Sequence, residues 1–228
     1  MKIIILAAGL GKRLGKDLPK SLVKLSNGKT ILEHQLENIR EITTTDSVVV
    51  VTGYRNEDIK NIFPDLKQIT NTRFSETNTS KSLLIGLSDY DDDIIFMNGD
   101  IVFDPDILKL IQDHRSRNLI CVNNLEVGEE EIKYSLDDDN YIDEISKSVA
   151  KPMGEAVGIN FIKKEYLENF RKSLSICDDN DYFEKGIENS IESGVIFSPL
   201  DIGNKFCVEI DFEEDLKKAN EYLETLNN

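Results

Sequence analysis

Two glycines and two basic residues follow the first apolar run of the chain, in Ala7-Ala8-Gly9-Leu10-Gly11-Lys12-Arg13-Leu14. Glycines at the mouth of a strand let backbone N–H groups approach an anion closely, and lysine and arginine add charge-assisted hydrogen bonds. That is chemistry for a phosphate-bearing ligand. Spacing excludes two familiar phosphate loops. At Gly28-Lys29-Thr30 the leading glycine of a Walker A loop would have to stand where Val23 stands, and the Gly-x-Gly-x-x-Gly dinucleotide loop meets Leu14 at its third glycine. Two aspartates offer a hard-cation site: Asp100, closing Asn98-Gly99-Asp100 after an apolar run, and Asp211, closing Glu209-Ile210-Asp211. Mg²⁺ takes one or two carboxylates together with phosphate oxygens and water, so such a pair suffices. Asp211 has a plainer alternative, because with Glu214 three residues on it could cap the last helix. Asp100 lacks that alternative, since Asp104 already serves the next helix.

These residues need elements to position them. Lys2 to Ala7 is apolar at five of six positions and reads as a fully buried strand. Thr30 with Glu33 forms a capping box for a helix to Ile42, whose apolar positions are Ile31, Leu32, Leu36 and Ile39. Strands are expected over 47–52, 66–70, 93–97, 119–122 and 156–162. Helices are expected over 57–63, 79–87, 165–174, 181–193 and 214–226, with another opened by Asp104-Pro105. The acidic turn Asp137-Asp138-Asp139-Asn140 makes 131–147 a hairpin. This alternation predicts an α/β fold: a single Rossmann-like domain over 1–228, with a mixed, mostly parallel sheet and helices on both faces. The hairpin is expected as a small antiparallel insertion near the sheet edge. In such sheets ligands bind outside the carboxyl ends of the strands, where the glycine loop and both aspartates fall.

The run from Leu6 to Leu14, continued by Pro19-Lys20-Ser21-Leu22, resembles the nucleotidyltransferases that activate sugars and other small phosphates. Their first-strand signature is Ala-Ala-Gly-x-Gly-x-Arg followed by Pro-Lys. The resemblance implies that Ala7, Ala8, Gly9 and Gly11 meet the nucleotide, while Arg13 and Lys20 clamp its triphosphate. A planar bidentate guanidinium and a point-charge ammonium suit a leaving pyrophosphate. Asn98-Gly99-Asp100 resembles the family's Gly-Asp metal motif, and Glu209-Ile210-Asp211 its closing Glu-Ile-Asp, so Asp100 and Asp211 are expected to hold Mg²⁺.

Other segments narrow the resemblance. Asn78 to Leu83 is similar to the Asn-x-x-x-Ser-Leu of bacterial cytidylyltransferases for phosphocholine and related compounds, which places Asn78 and Ser82 at the base or ribose; Asn78 or Thr79 could equally be an N-cap. Gly53-Tyr54 matches a recurring pair that could only shape a turn. Lys147, with Lys151 as its rival, and Gly154-Glu155 to Ile159 resemble a Lys followed by Gly-Glu-x-x-Gly-Ile, which puts Lys147 on the acceptor phosphate. A cationic acceptor would want a carboxylate, Glu155 or the Asp181 beside Tyr182, although the 178–184 cluster reads first as a solvated acidic face. The expected activity is transfer of CMP from CTP to a small phosphorylated or phosphonate acceptor, phosphocholine-like, with release of pyrophosphate. The methylerythritol-phosphate cytidylyltransferases rank second, because their His-Asp-Ala-Ala-Arg-Pro segment is replaced here by Asn98 to Phe103. The resemblance leaves a homodimer open.

Charge bounds the partners. Lys plus Arg total 27 against 43 Asp plus Glu, a net −16, which argues against nucleic-acid polymers and anionic membranes. The stretch from Lys12 to Lys24 nevertheless holds five basic residues against Asp17, enough for one triphosphate. Three scattered cysteines without a metal-ligand pattern, no apolar run of membrane-spanning length and no cleavage-site pattern lead to the expectation of a reduced, cytoplasmic chain. His34 and His114, the two histidines, are read as structural or solvated. Two rivals from other classes weaken on inspection. A non-catalytic nucleotide-binding regulator needs neither aspartate nor Lys147, and a dinucleotide oxidoreductase needs an acidic residue where the second strand ends in Thr52-Gly53.

Overall fold

With its run of isoleucines fully shielded, β1 (Lys2–Ala7) is an interior strand of the fold. The computed structural model describes residues 1–11, 14–15, 17–124 and 127–226. Its first half runs α1 (Ile31–Arg40), β2 (Val48–Thr52), α2 (Asn56–Ile62), β3 (Lys67–Thr70), α3 (Thr79–Leu87), β4 (Ile94–Asn98), β5 (Ile101–Phe103) and α4 (Asp106–His114). The second half runs β6 (Asn118–Asn123), β7 (Lys133–Leu136), β8 (Ile142–Ser146), β9 (Gly154–Ile162), α5 (Lys164–Ser175), α6 (Phe183–Glu192), β10 (Phe197–Asp201), β11 (Cys207–Glu209) and α7 (Glu213–Leu226).

The main sheet has the order β10-β6-β9-β4-β1-β2-β3. Four of its pairings are parallel, and β9 lies antiparallel between β4 and β6. This is the mostly parallel α/β architecture expected. Apolar side chains of α1 and α4 fill one face, among them Leu32, Leu36, Ile107 and Ile111. The other face is covered by α3, α5 and α6, where Phe96 stacks edge-on against Phe183, ring centres 5.4 Å apart. Because β strands with both faces covered have no solvent side, their sequences are unbroken apolar runs. The capping box of α1 forms as expected: Glu33 N donates to Thr30 Oγ1 at 3.1 Å and Thr30 N to Glu33 Oε2 at 2.6 Å.

Two features go beyond the sequence reading. The hairpin β7–β8 is the antiparallel insertion expected near the edge, with β8 paired only to β7. It pairs with the first residues of β9, Lys133 opposite Glu155, beyond the point where β4 has ended against Ile159. It thereby continues the sheet past the carboxyl end of β4 and forms a wall there. The second feature is a separate ribbon in which β11 runs antiparallel to β5, Glu209 opposite Ile101. Ile210 N then donates to Asp100 O at 2.9 Å, so the two acidic segments, over a hundred residues apart, are stitched backbone to backbone. Pro105 stands at the N-cap of α4 rather than in its first turn, while Asp104 Oδ1 accepts from Asp106 N at 2.9 Å. Among the described residues no helix is long and apolar enough to cross a membrane.

Candidate active site

The carboxyl ends of β1 and β4 open into a cleft of about 1210 Å³. At its base Asp100, Glu209 and Asp211 bring carboxylate oxygens within 4.8 Å of one another. The turn that holds Asp100 requires Gly99: a Cβ there would lie 2.7 Å from Leu6 O and 3.0 Å from Ala7 Cβ, so β1 leaves no room for a side chain. From behind, α1 fixes the same turn. Gln35 Nε2 donates to Asn98 O at 3.0 Å and Ile101 O at 2.9 Å, and Asn38 Nδ2 to Phe103 O at 2.7 Å. His34 Nε2 lies 3.1 Å from Phe103 O, and burial lowers the pKa of its ring. It is structural, as expected.

Lys20 reaches into the carboxylates. Its Nζ is 3.0 Å from Asp100 Oδ2 and also bonds Asp211 Oδ1. Burial opposes the charge of Lys20, but Asp100 and Asp211 outweigh it and raise the ammonium's pKa. Glu209 receives a bond from Asn98 Nδ2 at 3.2 Å. Its side chain is exposed to the cleft. Crowding by the surrounding protein, then the negative charges of Asp100 and Asp211, raise its carboxyl above the usual range. The cap of α7 falls to Asp215, whose Oδ2 accepts from Asp211 N at 3.2 Å and Phe212 N at 2.9 Å. The Asp211 carboxylate accepts from Lys20. Three hard oxygen donors at this spacing suit a divalent ion such as Mg²⁺.

The glycine loop forms the adjoining wall. Ala8, Gly9 and Gly11 line the cleft, whereas Ala7 packs behind it against the Gly99 turn. Gly53 lets the next strand end close by, since a Cβ there would stand 2.6 Å from Ala8 O and 2.5 Å from Phe74 Cβ. Tyr54 does more than shape a turn: its hydroxyl donates to Asp17 Oδ1 at 2.6 Å, and Arg55 pairs with Asp17 at 3.0 Å. These contacts tie the segment after β2 to the loop after β1. Arg13 lies outside the described residues.

Asn78 and Ser82 also line the cleft. Asn78 is the N-cap of α3, its Oδ1 accepting from Thr79 N at 2.9 Å, and Ser82 Oγ accepts from Asn71 Nδ2 at 3.0 Å. Across the cleft, Lys147 pairs with Glu130 at 3.0 Å and lies 5.6 Å from the centre of the Tyr182 ring. Its rival Lys151 is exposed and absent from the described lining. Glu155 accepts from Asn123 Nδ2 at 2.5 Å, and burial raises its pKa. Asp181 does not face the cleft. Its Oδ2 accepts from Asp178 N at 2.7 Å, and its backbone O accepts from Ser80 N at 3.2 Å, so the 178–181 loop closes over the start of α3.

Comparison with known proteins fits this geometry. A family model described as the MobA-like NTP transferase domain matches residues 3–146. The chain belongs to the MobA-like NTP transferase domain family. The chain is 27% identical over 179 residues to a bifunctional protein GlmU of Methanocaldococcus jannaschii, a match covering 76% of this chain and 42% of that protein. It is 30% identical over 118 residues to a CMP-5'-(3-aminopropyl)phosphonate synthase of Streptomyces rubellomurinus, covering 48% of this chain and 18% of that one. The chain thus spans less than half the length of these sequence relatives. In fold it resembles the CTP:phosphocholine cytidylyltransferase of Streptococcus pneumoniae, with TM-score 0.78, 21% identity and coverage of 97% and 98% of the two chains. It likewise resembles the inositol-1-phosphate CTP transferase of T. maritima, with TM-score 0.77, 20% identity and 96% of each chain covered.

Within this NTP-transferase frame, three residues at the site escaped the sequence reading. Glu209 opens the Glu-Ile-Asp motif, and an acidic residue two positions before Asp211 is the signal that could have found it. Gln35 falls inside the apolar stripe of α1, and a polar residue in such a stripe signals a buried hydrogen bond. Glu184, in the first turn of α6, lines the cleft while buried. It carries no comparable sequence signal, because acidic residues are common in first turns.

Proposed function

We propose that this protein is a metal-assisted cytidylyltransferase that transfers CMP from CTP to a small phosphorylated or phosphonate acceptor, phosphocholine-like, and releases pyrophosphate. The observation that carries it is the convergence of Lys20, Asp100, Glu209 and Asp211 beside the glycine loop in one cleft. The fold neighbours named for CTP transfer and the CMP-phosphonate synthase relative support the choice of nucleotide.

In this reading the backbone N–H groups of 8–11 receive the nucleotide, and Arg13 and Lys20 hold the β and γ phosphates. Lys147 meets the anionic end of the acceptor, and Glu155 and Glu184 face its other end. The acceptor oxygen is already anionic, so no general base is required; the chain contributes alignment and charge neutralisation. A Mg²⁺ held by Asp100 and Asp211 would supply charge stabilisation at the α-phosphate. Arg13→Ala is expected to abolish most turnover while leaving the fold intact.

A second reading is favoured by the GlmU relatives, the first of which aligns with 76% of this chain: a nucleotidyltransferase for a sugar 1-phosphate. Both are tested by one screen of pyrophosphate release. CTP, UTP and dTTP are crossed with phosphocholine, phosphoethanolamine, aminoethylphosphonate, inositol 1-phosphate and hexosamine 1-phosphates. Turnover with CTP and an amino-alkyl phosphate or phosphonate is the expected result. Turnover with UTP and a sugar phosphate establishes the second reading, and no turnover with any pair defeats both.

A further inference from the structure

The ammonium of Lys20 already stands where a divalent ion would bind. Its Nζ contacts Asp100 Oδ2 and Asp211 Oδ1, two of the three carboxylates of the oxygen cluster. The Lys20, Asp100 and Asp211 side chains are 16%, 19% and 23% exposed, so this is not the fully solvated kind of ion pair that water and salt screen away. A Mg²⁺ at about 2.1 Å from both oxygens would stand in contact with the ammonium, and two cations so close repel strongly. One must leave.

The side chain has somewhere to go. Residues 20–22 form a short 3-10 turn, with Val23 N donating to Lys20 O at 2.9 Å, so the backbone of Lys20 is fixed. Its stem runs beneath the glycine loop: a Cβ on Gly11 would be 3.1 Å from Lys20 Cγ. Rotation of the outer side-chain bonds alone can therefore carry Nζ from the carboxylates to the anion-binding side of that loop. Metal arriving by itself offers the displaced ammonium no anion. Metal arriving on a triphosphate offers one: the carboxylates exchange an ammonium for a dication, and the displaced ammonium exchanges carboxylates for phosphate.

We propose that Lys20 is the resident cation of the nucleotide-free site, holding Asp100 and Asp211 in place and keeping out divalent metal that comes without a nucleotide. This rests on the metal-site reading given under the proposed function. It makes Lys20 a positioning residue in the empty enzyme and a phosphate contact in the loaded one, and it makes the metal–nucleotide complex, rather than free metal, the species that enters.

Mn²⁺ titrated into nucleotide-free protein, with unbound ion followed by electron paramagnetic resonance, tests this directly. Lys20→Met is expected to bind Mn²⁺ roughly tenfold or more tightly than the wild type, about 1.4 kcal/mol, and the gain is expected to vanish in Lys20→Met/Asp100→Asn. Equal affinity of wild type and Lys20→Met overturns the proposal, as does a gain that survives Asp100→Asn. If no form binds Mn²⁺ with or without CTP or UTP, the metal-site reading itself fails and takes the proposal with it. Binding by the wild type with triphosphate, but no gain in Lys20→Met, sinks the proposal alone. Since Lys20→Met sets carboxylates against one another, the wild type is also read by the ¹⁵Nζ resonance of Lys20. It should shift on adding Mg²⁺ with CTP and hold still with Mg²⁺ alone; a shift with Mg²⁺ alone overturns the proposal even if the variant does not fold.

Discussion

Replacing Gln35 by Met tests whether the Asp100 turn is held from behind by α1. The side chain is fully buried, and its Nε2 serves two backbone carbonyls, Asn98 O and Ile101 O, that flank Asp100. Both partners are acceptors, so the amide must present its nitrogen there. Met has nearly the same length and no donor, which strands both carbonyls. Each stranded buried acceptor costs about 1–3 kcal/mol. Against that, Gln35 Oε1 is itself buried without a hydrogen-bond partner among the described residues, so removing it returns about 1–3 kcal/mol. The net expectation is a loss of about 2 kcal/mol, which for a chain of this size lowers Tm by roughly 4–8 °C. Urea unfolding gives the stability, and pyrophosphate release gives the kinetics. Because the loosened turn carries Asp100, kcat should fall by about tenfold or more while the KM for nucleotide changes less. A Gln35→Met protein with stability within about 0.5 kcal/mol of wild type and unchanged kcat would refute the idea that α1 positions this turn.

Other substitutions probe the remaining parts of the argument. Asp100→Asn keeps the shape but removes the charge, and should cut turnover roughly a hundredfold or more with little change in Tm; near-normal pyrophosphate release would remove Asp100 from the site. Gly99→Ala must push β1 and the turn apart, since the new methyl would meet Leu6 O at 2.7 Å; lowered Tm together with lost activity is expected, and a fully active, stable variant would contradict that contact. Glu184 gives a pH signature. Burial, only partly offset by its own backbone hydrogen bond and by Lys147, raises its carboxyl from 4.5 to about 7. The folded protein therefore keeps a proton that the unfolded chain has released, so stability falls as pH rises from about 4.5 to about 7 and levels off above it. The contribution is about 3 kcal/mol at most. Glu184→Gln should flatten that part of the stability–pH curve and be the more stable form at pH 8; parallel curves for the two proteins would show that Glu184 does not titrate in this range.

Sequence alone determined the strands and helices that build the sheet, because buried strands must be continuous apolar runs and a capping box declares a helix start. Lys2–Ala7, Thr79–Leu87 and the Asp137–Asn140 turn are legible for those local reasons. Asp100 and Asp211 stand out because their carboxylates follow strands where ligands bind, and Lys20 through the resemblance of Pro19-Lys20 to a family signature. Only the tertiary structure decided what those residues do to one another. The β5–β11 ribbon, pairing Ile101 with Glu209, adds a third carboxylate to the pair and sets Lys20 among them; no local pattern encodes a contact between segments so far apart in the chain. Asp215 caps the start of α7 from within its own first turn, whereas long-range packing turned Asp181 into a brace for α3. A carboxylate's residue type is compatible with a cap, a metal ligand or a salt bridge, and the choice among them depends on which backbone N–H or cation the fold brings within about 3 Å.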